Sequence, residues 1–191
     1  MASGDQLKEQ GIRQFMQQDF EQAVETFKQA IAAYQEASKP DMAAEMQVNL
    51  GLALHSIGKY DEALDQMKQA HSVFSGMNDQ LRSAQALGNM ARVYAKLDNT
   101  EQAITNYREA AGMFMELHDE ENYGQTILAI ADLQFRSHEF TQAAATYEIG
   151  LDYIKNPNMR QKMMKSLLGM RNKLTGTGAP PKADDDEEKS S

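Results

Sequence analysis

The sequence predicts an all-α solenoid: four stacked two-helix repeats followed by a terminal capping helix. Three observations carry that reading. Shifting the 191-residue chain against itself by 40 residues superimposes Ala23, Ala63, Ala103 and Ala143. The same shift aligns Phe27, Met67, Tyr107 and Tyr147, and then Ala30, Ala70, Ala110 and Gly150, a fixed period in the range of stacked repeats. Within each period the apolar residues recur at three- and four-residue steps, one face of a 3.6-residue helix. No strand-like alternation competes with them.

The repeats are expected at about residues 1–40, 41–80, 81–120 and 121–157. In the first, Phe20, Ala23, Val24, Phe27, Ala30, Ile31 and Tyr34 form the apolar stripe of a second helix (helix B). In the second, helix A is expected near 41–57 and helix B near 60–76, with Tyr60, Ala63, Leu64, Met67, Ala70 and Phe74 inward. Leu87, Met90, Ala91 and Tyr94 mark the third helix A. Gly11, Gly51, Ala91 and Ala131 share a register, and Phe20, Tyr60, Thr100 and Phe140 mark one recurring turn. The small residues allow close helix approach; a larger side chain there would push the pair apart.

Breaks fall where helix chemistry favours them. Gly58 ends the second helix A, and Asp61 and Glu62 open the next helix, where negative charge suits the N-terminal dipole. Pro40 fits a first helical turn, where its missing N–H costs nothing. Ser38, Asn78, His118 and Asn158 occupy one register between repeats; Ser and Asn there are expected to cap helix N-termini. After Pro157, the segment 158–174 carries Met159, Met163, Met164, Leu167, Leu168, Met170 and Leu174 out of period with the repeats. It is expected to be an amphipathic helix whose Met and Leu cover the last repeat. Residues 175–191, rich in Gly, Pro and acids, are expected to be a disordered acidic tail.

Composition limits the function classes. Net charge is −9, yet 158–174 carries five cations and no acid, so the repeat body is more acidic than the chain as a whole. Such a body repels phosphate backbones, which argues against nucleic-acid binding. There is no cysteine, which removes disulfides and the usual zinc patterns. No leader-like or membrane-length apolar run is present, so a cytoplasmic protein without membrane insertion is expected. His55, His71, His118 and His138 lie in different registers, without HExxH or a carboxylate cluster of ligand spacing. Gly176 and Gly178 are not set between a strand and a helix. The expectation is a non-enzymatic protein with no cofactor and no metal.

The repeated positions resemble the tetratricopeptide repeat: Gly51, Tyr60, Ala63, Met67 and Ala70 follow its spacing, as do Gly11, Phe20, Ala23, Phe27 and Ala30. Thr100 and Gly150 depart from it. The 40-residue unit is similar to the longer repeats of the spindle-orientation adaptor with Leu-Gly-Asn repeats, and Leu87-Gly88-Asn89 sits in the equivalent helix A. The resemblance implies a right-handed superhelix whose A helices line a concave groove for a peptide or helix of another protein. By register, the groove is expected to receive Lys8, Asn49, Asn89, Arg92, Lys96 and Arg136, with Leu52, Leu128 and Asp132 on the same faces. The Asn pair would hold an extended peptide backbone through donor and acceptor together. The basic trio would meet carboxylates. A co-chaperone-like carboxylate clamp would match only Lys8 and Asn49, because Ile12, Gln85 and Asn89 replace its other groups. The alternative is a structural module that self-associates into a homo-oligomer through exposed apolar surface.

Overall fold

From Phe20 to Phe140 a helix begins every 20 residues, because each of the six helices in that span runs about five turns and closes with the same three-residue turn. In the computed structural model, which describes residues 3–176, the repeat helices are α1 (Gly4–Met16), α2 (Phe20–Glu36), α3 (Pro40–Ser56), α4 (Tyr60–Gly76), α5 (Gln80–Lys96), α6 (Thr100–Glu116), α7 (Glu120–Arg136) and α8 (Phe140–Asp152). A further helix, α9 (Met159–Thr175), belongs to a second unit that begins at Asn156; the repeat unit ends at Lys155. The acidic tail lies outside the described residues.

The turns correct one expectation. Ser38, Asn78 and His118 do not cap the helices that follow; each adopts positive φ (54°, 57° and 56°) at the end of the helix before. Gln18, Asp98 and His138 do the same halfway between them, with Gly58 at φ 78°. After each, a backbone N–H reaches back five residues, as in Lys39 N–H to Tyr34 O and Asp79 N–H to Phe74 O, both 2.9 Å. That is the Schellman closure, which satisfies carbonyls the helix end leaves open. N-capping falls one residue later: Asp79, Asn99 and Asp119 accept from the backbone of Arg82, Gln102 and Asn122. Asn158 does cap a helix, accepting from Gln161 N–H at the start of α9. Pro40 occupies the first turn of α3 as expected.

Each helix packs against the next in the chain, α1 on α2 through α7 on α8. The matched alanines 23, 63, 103 and 143 are at most 1% exposed, as are Ala30, Ala70 and Ala110. Helix-A glycines let the paired helix press in. A Cβ on Gly11 would lie 2.5 Å from the Phe27 ring, and one on Gly51 would lie 2.8 Å from Met67 Cγ. Gly150 receives Leu128 in the same way. Near the N-terminus Tyr34 O–H donates to Asp5 at 2.6 Å; burial and this carboxylate both push the phenol's pKa up.

A second set of contacts sets the curvature. The A helices touch across repeats, α1 to α3 and α3 to α5, whereas no comparable contact joins successive B helices among the described residues. The first three A helices therefore stand closer together than the B helices and lie on the inner side.

At the A–B turns an aromatic pair recurs: Phe15 on Phe20, His55 on Tyr60 and Phe135 on Phe140, with ring centroids 5.2–5.5 Å apart. The third repeat has Ala95 and Thr100 there. His55 fits its slot poorly, because its Nε2 is buried with no hydrogen-bond partner among the described residues.

In α9, Met159, Met163, Leu167, Met170 and Leu174 are exposed. Leu168 is buried and Met164 half-buried.

Candidate partner-binding groove

Helices α3, α5 and α7 present their first three turns to a shared cleft of about 490 Å³. Its walls are polar and follow the repeat. Residues 45, 85 and 125 give Glu45, Gln85 and Gln125; residues 49, 89 and 129 give Asn49, Asn89 and Ala129. The floor is apolar, from Phe74 of α4 and Tyr107 and Phe114 of α6. Burial raises the Tyr107 pKa, partly offset by the charges of Arg92 and Arg136.

Three of the six residues expected in the groove, Asn49, Asn89 and Arg92, line this one cleft. Asn49 and Asn89 are half-buried, and neither forms a side-chain hydrogen bond among the described residues; nor does Gln85. Lys8 stands one repeat away and is engaged, its Nζ 2.6 Å from Glu45 Oε1. It neutralises the acid at the cleft edge. Lys96 and Arg136 are exposed one helical turn further on and are not part of the lining. Arg136 remains electrostatically linked to it through Tyr107. Arg92 and Lys96 both act on His55, whose pKa is lowered first by burial and then by these two charges. Among the described residues no carboxylate lies within ion-pair distance of Arg92, Lys96 or Arg136.

Two residues expected on the groove face lie elsewhere. Leu128 is buried against Gly150, and Leu52 packs into the core. Both follow from the close approach of helices A and B, which draws an apolar side chain at the edge of the stripe inward. Asp132 is drawn the same way, its carboxylate accepting from the Tyr147 hydroxyl.

Arg82 and Asn122 line the cleft although the sequence reading did not place them there. Both sit three residues after an N-cap aspartate. Asp79 accepts from the Arg82 backbone N–H at 3.0 Å and from its Nε at 2.6 Å. The backbone bond contributes most to holding the Asp79 carboxyl below its ordinary pKa. The same guanidinium lies 4.7 Å from the centre of the Phe74 ring. Asp119 binds Asn122 through both backbone and side chain. The legible signal was the Asp-x-x-polar spacing, repeated 40 residues apart.

Among the described residues no group of three His, Asp or Glu side chains could hold a metal ion. No described helix is long and apolar enough to cross a membrane.

Solved structures with the same architecture include BtubC (BKLC) from P. vanneervenii, at 20% identity and TM-score 0.74, over 90% of this chain and 72% of that one. The putative kinesin light chain TPR-like repeats of Podosopora anserina match at 14% identity and TM-score 0.72, over 93% and 90% of the two chains. The apo form of RapI matches at 14% and TM-score 0.77, over 92% of this chain and 51% of its own length. At these identities they show the fold: the chain is a tetratricopeptide-type repeat solenoid. No curated protein matches it in sequence. The family model described as soluble NSF attachment protein, SNAP, matches residues 5–170.

Proposed function

The chain belongs to the soluble NSF attachment protein family, and from that premise we propose that it is a non-enzymatic adaptor holding a segment of a partner protein against the α3–α5–α7 groove. One observation carries the proposal. Asn49, Gln85 and Asn89 line a single cleft and form no side-chain hydrogen bonds among the described residues. An unpaired amide offers both donor and acceptor, so a row of them at repeat spacing suits an extended or helical backbone laid across the A helices. Arg92 adds a forked donor for a carboxylate at one end of that row, with Lys96 and Arg136 beyond it. The apolar floor of Phe74, Tyr107 and Phe114 gives an anchoring side chain somewhere dry to sit.

The family's name describes attachment to NSF, so NSF is the first partner to test. Within this reading the repeats occupy residues 1–157 and are of the long 40-residue type, with Leu87-Gly88-Asn89 as in the Leu-Gly-Asn adaptors. The setting is cytoplasmic and the partner is a protein, not a nucleic acid.

The test pairs the full chain with Asn49→Ala/Asn89→Ala, both half-buried amides outside the core. Affinity for NSF is read by calorimetry, and partners captured from native extract are identified by mass spectrometry. Loss of a partner in the double variant, with helicity unchanged, supports the groove. Equal capture by both proteins removes these residues from the binding surface.

A further inference from the structure

The α9 helix is built differently from the repeat helices. Asn158 and Gln161 form a reciprocal capping box at its start, and Gly176 closes its end at φ 67°. The N-terminal end is therefore satisfied locally. Between them lie five cations and no acid. Arg160 stands in the first turn, where a positive charge opposes the helix dipole. The helix dipole by itself does not favour that placement.

Side-chain positions explain it better. At about 100° per residue, Met159, Met163, Leu167, Met170 and Leu174 fall within one sector of about 80°. All five are exposed, from 48% at Leu167 to 87% at Leu174. Lys162 and Lys173 border the sector on one side, and Arg160 and Arg171 on the other. On the opposite side Leu168 is buried and Met164 half-buried. The five exposed apolar residues and the two buried or half-buried ones therefore lie on different faces of the helix. A narrow apolar strip between two rows of long cationic side chains suits a flat, negatively charged boundary. The apolar residues enter it, and the Lys and Arg stems extend to the charged layer. At about 25 Å the helix is shorter than the ~30 Å hydrocarbon core of a bilayer and is flanked by charge throughout, so it lies along a surface.

We propose that α9 is a docking face for an anionic lipid surface, lying along it with the Met159–Met163–Leu167–Met170–Leu174 strip inward. This surface is separate from the α3–α5–α7 groove, and its failure would leave the groove reading intact.

The test is vesicle co-sedimentation of the full chain. The probes are phosphatidylcholine vesicles and vesicles in which about one-third of the lipid is phosphatidylserine, a composition that draws basic segments through its surface potential. Binding is expected on the anionic vesicles only and should fall steeply with salt. Lys162→Gln/Lys173→Gln should weaken it by about five-fold per cation removed. Met163→Gln/Leu167→Gln should weaken it by about ten-fold or more through lost apolar burial. Both pairs are exposed, and circular dichroism checks that helicity is kept. Asn49→Ala/Asn89→Ala should bind vesicles normally. Equal binding to both vesicle types, or binding untouched by either α9 variant, overturns the proposal. So does absence of vesicle binding, including the case where a concentration-dependent mass is lost in Met163→Gln/Leu167→Gln, which would assign the strip to a second copy of the chain.

Discussion

Gly51→Ala and Gly112→Ala are the same substitution in two 17-residue helices, α3 and α6, and should move stability in opposite directions. Alanine gains about 1 kcal/mol over glycine in a helix interior, and that gain is common to both. At Gly112 the new methyl meets nothing within 4 Å, so the gain is realised. At Gly51 the methyl would sit 2.8 Å from Met67 Cγ, 2.9 Å from its Cε and 3.1 Å from the Ala63 carbonyl oxygen. Met67 is wholly buried, and the carbonyl belongs to a helix, so neither has room to retreat. Overpacking of this kind costs ~1–3 kcal/mol. The difference between the two variants isolates that cost, because the backbone gain cancels. Gly112→Ala should raise the urea midpoint followed by circular dichroism, and Gly51→Ala should leave it unchanged or lower it, with denaturant slopes alike. The thermal midpoints should then separate by about 2–4 °C for each kcal/mol. If Gly51→Ala stabilises as much as Gly112→Ala, the small-residue frame is not a packing constraint, and the account of helix pairing given above is wrong.

Three further outcomes follow from the turns and the buried groups. Gly58→Ala forces a Cβ onto φ 78° and should cost ~1 kcal/mol, seen as a lower thermal midpoint; Gln18→Gly at φ 66° should not be destabilising. His55→Phe restores the residue type found at positions 15 and 135 and removes a buried nitrogen without a partner, a gain of about 1 kcal/mol or more. The folded His55 has a lowered pKa. Below its ordinary value of 6.5 the unfolded chain takes up a proton that the fold resists, so wild-type stability should fall as pH drops through that range. A denaturation series in pH should show this decline reduced in His55→Phe. Asp79→Ala should cost ~0.5–2 kcal/mol at neutral pH. Because the folded Asp79 pKa is depressed, its contribution is complete above 3.8 and is lost as pH falls through the folded value, so the gap between variant and wild type should close in acid.

Period and composition determined the architecture of this protein without reference to coordinates. Ala23, Ala63, Ala103 and Ala143 align because every repeat must solve the same packing problem, and a packing problem solved four times is visible as a period. The helix bounds expected near 41–57 and 60–76, found at 40–56 and 60–76, the Pro40 start and the Gly58 stop are local chemistry, so they too were legible. The groove was half legible. Asn49, Asn89 and Arg92 follow from register alone, but register is silent on side-chain direction at the edge of a stripe. Leu128 turned inward onto Gly150, and Asp132 toward Tyr147, because close approach between helices gives those side chains a partner there. Arg82 and Asn122 reached the cleft through N-caps whose position the positive-φ turns moved by one residue. The open face of α9 was likewise decided in three dimensions. Sequence fixes which residues share a helical stripe, whereas only packing determines which of two apolar stripes is covered, since coverage depends on what lies opposite in space.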